Sequence, residues 1–236
     1  MQWGQGVPDL PRALDEGPLL HQAPDCDRAA MNILHLSFSA RGPASESRRL
    51  AARIVTHLLA IHPQAAVVER MFGDEPLPHI DASYALAQHS ATAEVGDQGS
   101  IVRSDAAIAE LRSADIVVIG TPMHNLTVPS ALKAWIDHVV RARRTFQVTS
   151  DGKTGLLPDR PVLVAVSSGG RFSGDRARQP DFLTPYLREL LKMIGLRDIH
   201  FFSVEGTGAP QDSVARSREE SVHELKQFFE AFSSRL

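Results

Sequence analysis

Three short stretches of this sequence combine hydroxyl, amide, thioether and glycine chemistry suited to holding a flat, anionic ligand. The first, Ser37 to Ser47, carries four serines just ahead of a helical pattern. Ser39, Ser45 and Ser47 supply hydroxyls, and Glu46 adds a backbone N–H at the helix start. Hydroxyls and free N–H groups at a helix N-terminus make an anion site, which the helix dipole favours further. Taken alone, capping of the helix by Ser45 or Ser47 is the plainer reading. The second stretch is Met123-His124-Asn125-Leu126. Methionine offers a soft apolar face, and asparagine offers both a donor and an acceptor. Those chemistries suit a ring with alternating carbonyl and N–H groups. The third stretch is Ser167-Ser168-Gly169-Gly170, where glycine lets backbone approach a flat ligand closely.

Other chemistries find little support. Gly152-Lys153-Thr154 ends like a phosphate-binding Walker loop, but position 147 is Gln147 and not glycine. No G-x-G-x-x-G run follows the first strand-like segment. None of the ten histidines has an H-x-x-x-H or H-E-x-x-H partner, so no metal site is expected. His124 alone is placed where it could give a proton to a reduced substrate; a packed or solvated imidazole is the alternative. A hydroxyl-rich loop without lysine suits one phosphate held without metal, as in flavin mononucleotide (FMN). Arg171 and Phe172 follow the third stretch and are expected toward the same cleft.

The elements that must position these residues alternate. Apolar runs at Ile33–Leu36, Val67–Met71, Ile116–Ile119, Val162–Val166 and His200–Val204 read as strands. Helical periodicity covers Ser45 or Ser47 to Ile61, Ala82–Gln88, Ile101–Leu111, Ser130–Val140, Asp181–Ile194 and Ser213–Phe232. A loop is expected up to Gly99, and Asp151-Gly152 signals a hairpin. Leu132, Trp135, Ile136 and Val139 share a face that packs on the sheet or partly on a second subunit. The alternation predicts an α/β protein: a five-stranded parallel sheet with helices on both faces. Ligands of such sheets bind beyond the carboxyl ends of the strands, where all three stretches fall.

Composition narrows the function. The 236 residues are 43% hydrophobic and 22% charged, ordinary for a globular chain. A formal charge of −3 argues against a nucleic-acid partner and against a strongly acidic electron carrier. No run approaches the roughly 18 apolar residues of a membrane span. Cys26 is the single cysteine, so no intramolecular disulfide forms. Four of the fifteen prolines precede Met31, in a segment with no apolar period and no signal-peptide pattern. Residues 1–30 are therefore expected to be a disordered extension ahead of one domain, residues 31–236, in a cytoplasmic protein.

From Met31 onward the sequence resembles the FMN-dependent NADH-azoreductases of the flavodoxin-like quinone reductase superfamily. The resemblance rests on Ser39 with Ser45-Glu46-Ser47, Pro122-Met123-His124-Asn125-Leu126, Ser167-Ser168-Gly169-Gly170, Thr184-Pro185-Tyr186-Leu187, Ile194-Gly195 and Glu205-Gly206, in that order and spacing. It implies a flavodoxin-like fold and bound FMN. Ser39, Ser45, the Glu46 N–H and Ser47 would cradle the phosphate. Met123 to Leu126 would run along the isoalloxazine, and Ser167 to Gly170 would face its pyrimidine side. It also implies a homodimer that passes hydride from NADH or NADPH, through FMN, to quinones or aromatic azo compounds in two steps. Three positions, in two of these stretches, depart from the family. His124-Asn125-Leu126 stands where Tyr-Asn-Phe is common, which alters the aromatic wall. Glu46 stands where glutamine is common, so its carboxylate is expected to point away from the phosphate. The alternatives are an FMN or quinone reductase without meaningful azo activity, an electron-transfer flavodoxin, and a flavin-binding regulator.

Overall fold

The computed structural model describes residues 30–89 and 99–232. The expected extension apart from Ala30, Cys26 within it, and the loop before Gly99 lie outside the described residues. Five strands form one parallel sheet: β1 (Asn32–Ser37), β2 (Ala66–Met71), β3 (Ile116–Pro122), β6 (Val162–Ser168) and β7 (Ile199–Glu205). Their order is β2-β1-β3-β6-β7, so the chain reverses its direction of travel across the sheet between β1 and β3. Every residue of β3 and β6 is buried, as unbroken β-branched runs require when both faces are covered.

Alternate residues of the strands other than the edge strand β2 feed two cores. Leu34, Leu36, Val117, Ile119 and Val164 meet α3 (Gly99–Ser113), α4 (Ser130–Val139) and α5 (Thr184–Met193) on one face. Ile33, Val118 and Leu163 meet α1 (Glu46–Ile61) and α6 (Gln211–Phe232) on the other. A further helix, α2 (Ala82–His89), precedes α3. Gly120 brings α1 close to β3: a Cβ there would lie 3.1 Å from the Ser47 carbonyl oxygen and from Ala51 Cβ. The start of α1 thus packs hard on the sheet, which fixes the serine-rich loop ahead of it.

Some boundaries differ from expectation. The Asp181 carboxylate accepts from the N–H groups of Leu183 and Thr184, each at 2.9 Å. It caps α5, so the helix starts three residues later than the periodicity suggested. The Asp151-Gly152 signal is realised as an antiparallel ribbon of β4 (Phe146–Thr149) and β5 (Gly152–Gly155), separate from the main sheet. Trp135 packs on the sheet, 2% exposed, with its ring 5.9 Å from Phe38; Leu132, Ile136 and Val139 are buried beside it. Trp135→Ala is predicted to cost about 3–5 kcal/mol of folding free energy, read from the midpoint of urea unfolding.

Candidate functional site

Level strand ends bring the loops together. Ser37 pairs with Gly120, and Pro122 with Ser167, so the chain leaves β1, β3 and β6 on the same side of the sheet. After β1, Ser39 is buried and its Oγ accepts from the Arg41 N–H at 3.3 Å. A 3-10 turn, Gly42–Ala44, then leads into α1. Ser45 caps that helix, its Oγ accepting from the Arg48 N–H at 3.3 Å. Ser45 Oγ and Ser47 Oγ lie 3.0 Å apart. The N–H groups of Glu46 and Ser47, in the first turn, have no helical carbonyl to reach.

A cleft of about 310 Å³ sits where these loops meet. The first loop lines it with Ser39, Arg41, Ser45 and Glu46, the second with Pro122, Met123 and His124, and the third with Ser167 and Gly169. Three of the four expected phosphate residues and two of the four expected ring-side residues after β3 thus share one wall. Ser47 is fully buried behind Ser45 and acts on the cleft only through that hydroxyl. Asn125 and Leu126 turn away in left-handed conformations, φ 47° and 70°, with His124 and Thr127 bonded to each other's backbone. Ser168 is buried below the loop, and Gly170 does not line the cleft.

Neither Arg171 nor Phe172 lines the cleft. Phe172 packs against the core, and an Arg171 guanidinium nitrogen stands 3.5 Å from Ser213 Oγ. Three contributors escaped the sequence reading: Arg41, Thr207 and Gly208. Thr207 and Gly208 extend the β6–β7 pairing, their N–H groups donating to the carbonyls of Ser168 and Gly169 at 2.9 and 3.2 Å. Their signal was available, because they too follow the carboxyl end of a strand.

Glu46 behaves as expected. Its carboxylate is turned to Arg218 at 2.7 Å and Arg49 at 3.0 Å. The hydrogen bond from Arg218, helped by the charges of both arginines, holds its pKa below the usual carboxylate value against the opposing effect of burial. The residues fit a flavin mononucleotide. Buried hydroxyls, free N–H groups and Arg41 share one end of the cleft, where an anion would sit. At the other, a Cβ on Gly169 would meet nothing within 4 Å, so a flat ring can approach the backbone beside Met123. A larger cavity of about 500 Å³ lies behind Glu205, between the Arg171–Arg176 loop and α6. It has no apolar wall for a ring, so chemistry and not size selects the smaller cleft.

A doubly wound parallel sheet whose loops converge at its β1/β3 switch point defines an α/β protein of the open-sheet class, in which ligands bind beyond the carboxyl ends of the strands. A family model described as flavodoxin-like fold matches residues 31–229, and the chain belongs to that family. An FMN-dependent NADH:quinone oxidoreductase of Burkholderia lata is 48% identical over 183 residues, spanning 77% of this chain and 88% of its own length. Another, from Cupriavidus pinatubonensis, is 44% identical over 189 residues, spanning 79% and 92%. Among solved structures, an azoreductase of Bacillus anthracis is similar with a TM-score of 0.73 at 23% identity, covering 84% of this chain and 98% of its own; that likeness is one of fold. Among the described residues no helix is long and apolar enough to cross a membrane, and no group of three His, Cys, Asp or Glu could hold a metal ion.

The Glu46–Arg218 pair ties the start of α1 to α6. Because the folded pKa of Glu46 lies below its ordinary 4.5, the pair stabilises fully above that value and fades as pH falls through the folded pKa. We predict that Arg218→Ala lowers stability by about 1 kcal/mol or less at pH 7. The gap to wild type should close toward pH 3 in chemical unfolding, and a gap that widens would contradict the pairing.

Proposed function

We propose that this protein is an FMN-dependent NADH:quinone oxidoreductase that also reduces aromatic azo compounds. The single observation that carries the reading is the cleft itself, an anion cradle at one end and an open glycine backbone beside Met123 at the other. Two relatives, 44% and 48% identical over their aligned lengths, are FMN-dependent NADH:quinone oxidoreductases, which supports it. The overall reaction is NADH + H⁺ + quinone → NAD⁺ + hydroquinone. Bound FMN would supply the group that accepts hydride from the nicotinamide and hands it to the quinone.

This chain's residues would do the rest. Ser39, Ser45, the Glu46 N–H and Arg41 hold the phosphate, with Ser47 fixing the Ser45 hydroxyl. Met123 and Pro122 give the ring an apolar wall, and Ser167 and Gly169 present backbone to its polar edge. His124, exposed on the cleft wall, stands where it can deliver the one proton that accompanies the hydride to the reduced substrate. One open face serves donor and acceptor in turn, which gives two half-reactions and substituted-enzyme kinetics. We further propose a cytoplasmic protein that forms a homodimer, as the resemblance implies, with NADH or NADPH as the electron donor.

The purified chain is predicted to be yellow. NADH should bleach it under anaerobic conditions, and benzoquinone or methyl red should restore the colour. Colourless protein that takes up no added FMN would refute the reading; bleaching restored by benzoquinone but not by methyl red would confine it to quinones. Gly169→Val places a side chain in the open space of the cleft. It should abolish most FMN uptake while shifting the thermal midpoint by no more than about 2 °C.

A further inference from the structure

The loops after β3 and β6 are joined by a side chain that belongs to neither. Gln179 lies in the segment between β6 and α5, and its Nε2 reaches Ser168 Oγ at 2.9 Å and Met123 Sδ at 3.2 Å. Ser168 Oγ in turn lies 3.7 Å from the same sulfur. Ser168 is 2% exposed and Met123 7% exposed, so a half-buried amide reaches two buried side chains. The segment carrying Gln179 is itself pinned. The N–H groups of Arg178 and Gln179 donate to the Arg171 carbonyl at 2.8 and 3.2 Å. Glu205, 4% exposed, accepts from the N–H groups of Phe172 and Ser173 at 2.7 and 3.2 Å.

The two glycines of the third loop separate on this basis. A Cβ on Gly169 would enter open space, whereas a Cβ on Gly170 would lie 2.2 Å from Gln179 Oε1. Gly169 leaves room for a ligand; Gly170 leaves room for Gln179.

We propose that Gln179 is a positioning residue that sets the spacing between the Met123 loop and the Ser168–Gly170 loop, and so the grip of the cleft on the flavin ring. The proposal rests on the FMN reading above. The amide donates to Ser168 Oγ, which frees the serine hydrogen to point at Met123 Sδ. A carboxylate at position 179 would accept that hydrogen instead, release Met123 and bring a negative charge beneath the ring.

The test uses the full chain and four variants: Gln179→Ala, Gln179→Glu, Gly170→Ala and the double Gln179→Ala/Gly170→Ala. FMN affinity is read by flavin fluorescence quenching, and the flavin absorption band and midpoint potential are measured on the loaded protein. Losing the amide should weaken FMN about fivefold, the worth of one net hydrogen bond, and shift the absorption band. Gln179→Glu should also lower the midpoint potential, because added electrons meet a nearby negative charge. Gly170→Ala should weaken FMN further than either. The double variant should bind more tightly than Gly170→Ala alone, since removing Gln179 makes room for the new methyl group. If Gln179→Ala lowers the thermal midpoint, the near-isosteric Gln179→Glu decides. Wild-type affinity, spectrum and potential in both Gln179 variants would overturn the proposal, as would a double variant whose losses simply add. A wild-type chain that takes up no FMN would overturn the flavin reading and this proposal together.

Discussion

Parallel pairing in register is the constraint on which the site depends. Ser37 opposite Gly120, Pro122 opposite Ser167 and Ser168 opposite Glu205 bring four strands to an end at one level. The loops that leave them must therefore meet above the sheet. The order of strands parts the first connection from the later ones between β1 and β3 and opens a crevice there. A one-residue slip of β3 against β1 would move Val117 and Ile119 to the opposite core. Burial on both faces of the sheet makes that slip costly, so the same apolar runs that build the fold also hold the cleft open.

Above the sheet, shape is kept by hydrogen bonds to small groups and not by bulk. Glu205 shows why. It ends the edge strand β7, and its carboxylate accepts from Phe172 N–H, Ser173 N–H, Ser173 Oγ and Ser203 Oγ. Its own N–H donates to Ser217 Oγ on α6 at 2.9 Å. A buried carboxylate without such donors would be costly; with them it becomes a rigid anchor for a loop that contains two glycines and little side chain of its own. The loop can then present bare backbone to a ligand without the flexibility that glycine usually brings.

The fold was legible from the sequence because its signals are local. Ile116–Ile119 and Val162–Val166 read as buried strands on composition alone, and the serines at 45 and 47 read as candidate helix caps, of which Ser45 takes the role. The convergence of Ser39, Ser45, Met123, Ser167 and Gly169 followed from strand-end logic. What escaped depends on contacts distant in sequence. Nothing local marks Gln179 as touching Met123, 56 residues away; the left-handed turn at Asn125 and Leu126 is the exception, closed locally by His124 and Thr127 and favoured by asparagine itself. Arg41 was passed over because a lone exposed arginine is ordinary, and only the cleft around it gives the charge a place to act. The start of α5 was misjudged because Asp181 reads equally well as a first-turn acid and as a cap.

The charge at the cradle follows from the same reasoning. A carboxylate beside a bound phosphate would repel it, and Glu46 sits in the middle of the cradle sequence. Two arginines compensate it: Arg49, one turn along α1, and Arg218, 172 residues away on α6. With Glu46 matched in this way, the unspent positive charge at the cleft is that of Arg41, together with the dipole of a 16-residue helix. The site is therefore positive where an anion should bind, although the chain as a whole carries −3. Net charge decides which macromolecular partners a chain meets; the few charges within a Debye length of the site decide which ligand it keeps. A weakly acidic protein with a locally positive cradle suits a small anionic cofactor held for turnover better than it suits docking on a partner by its overall field.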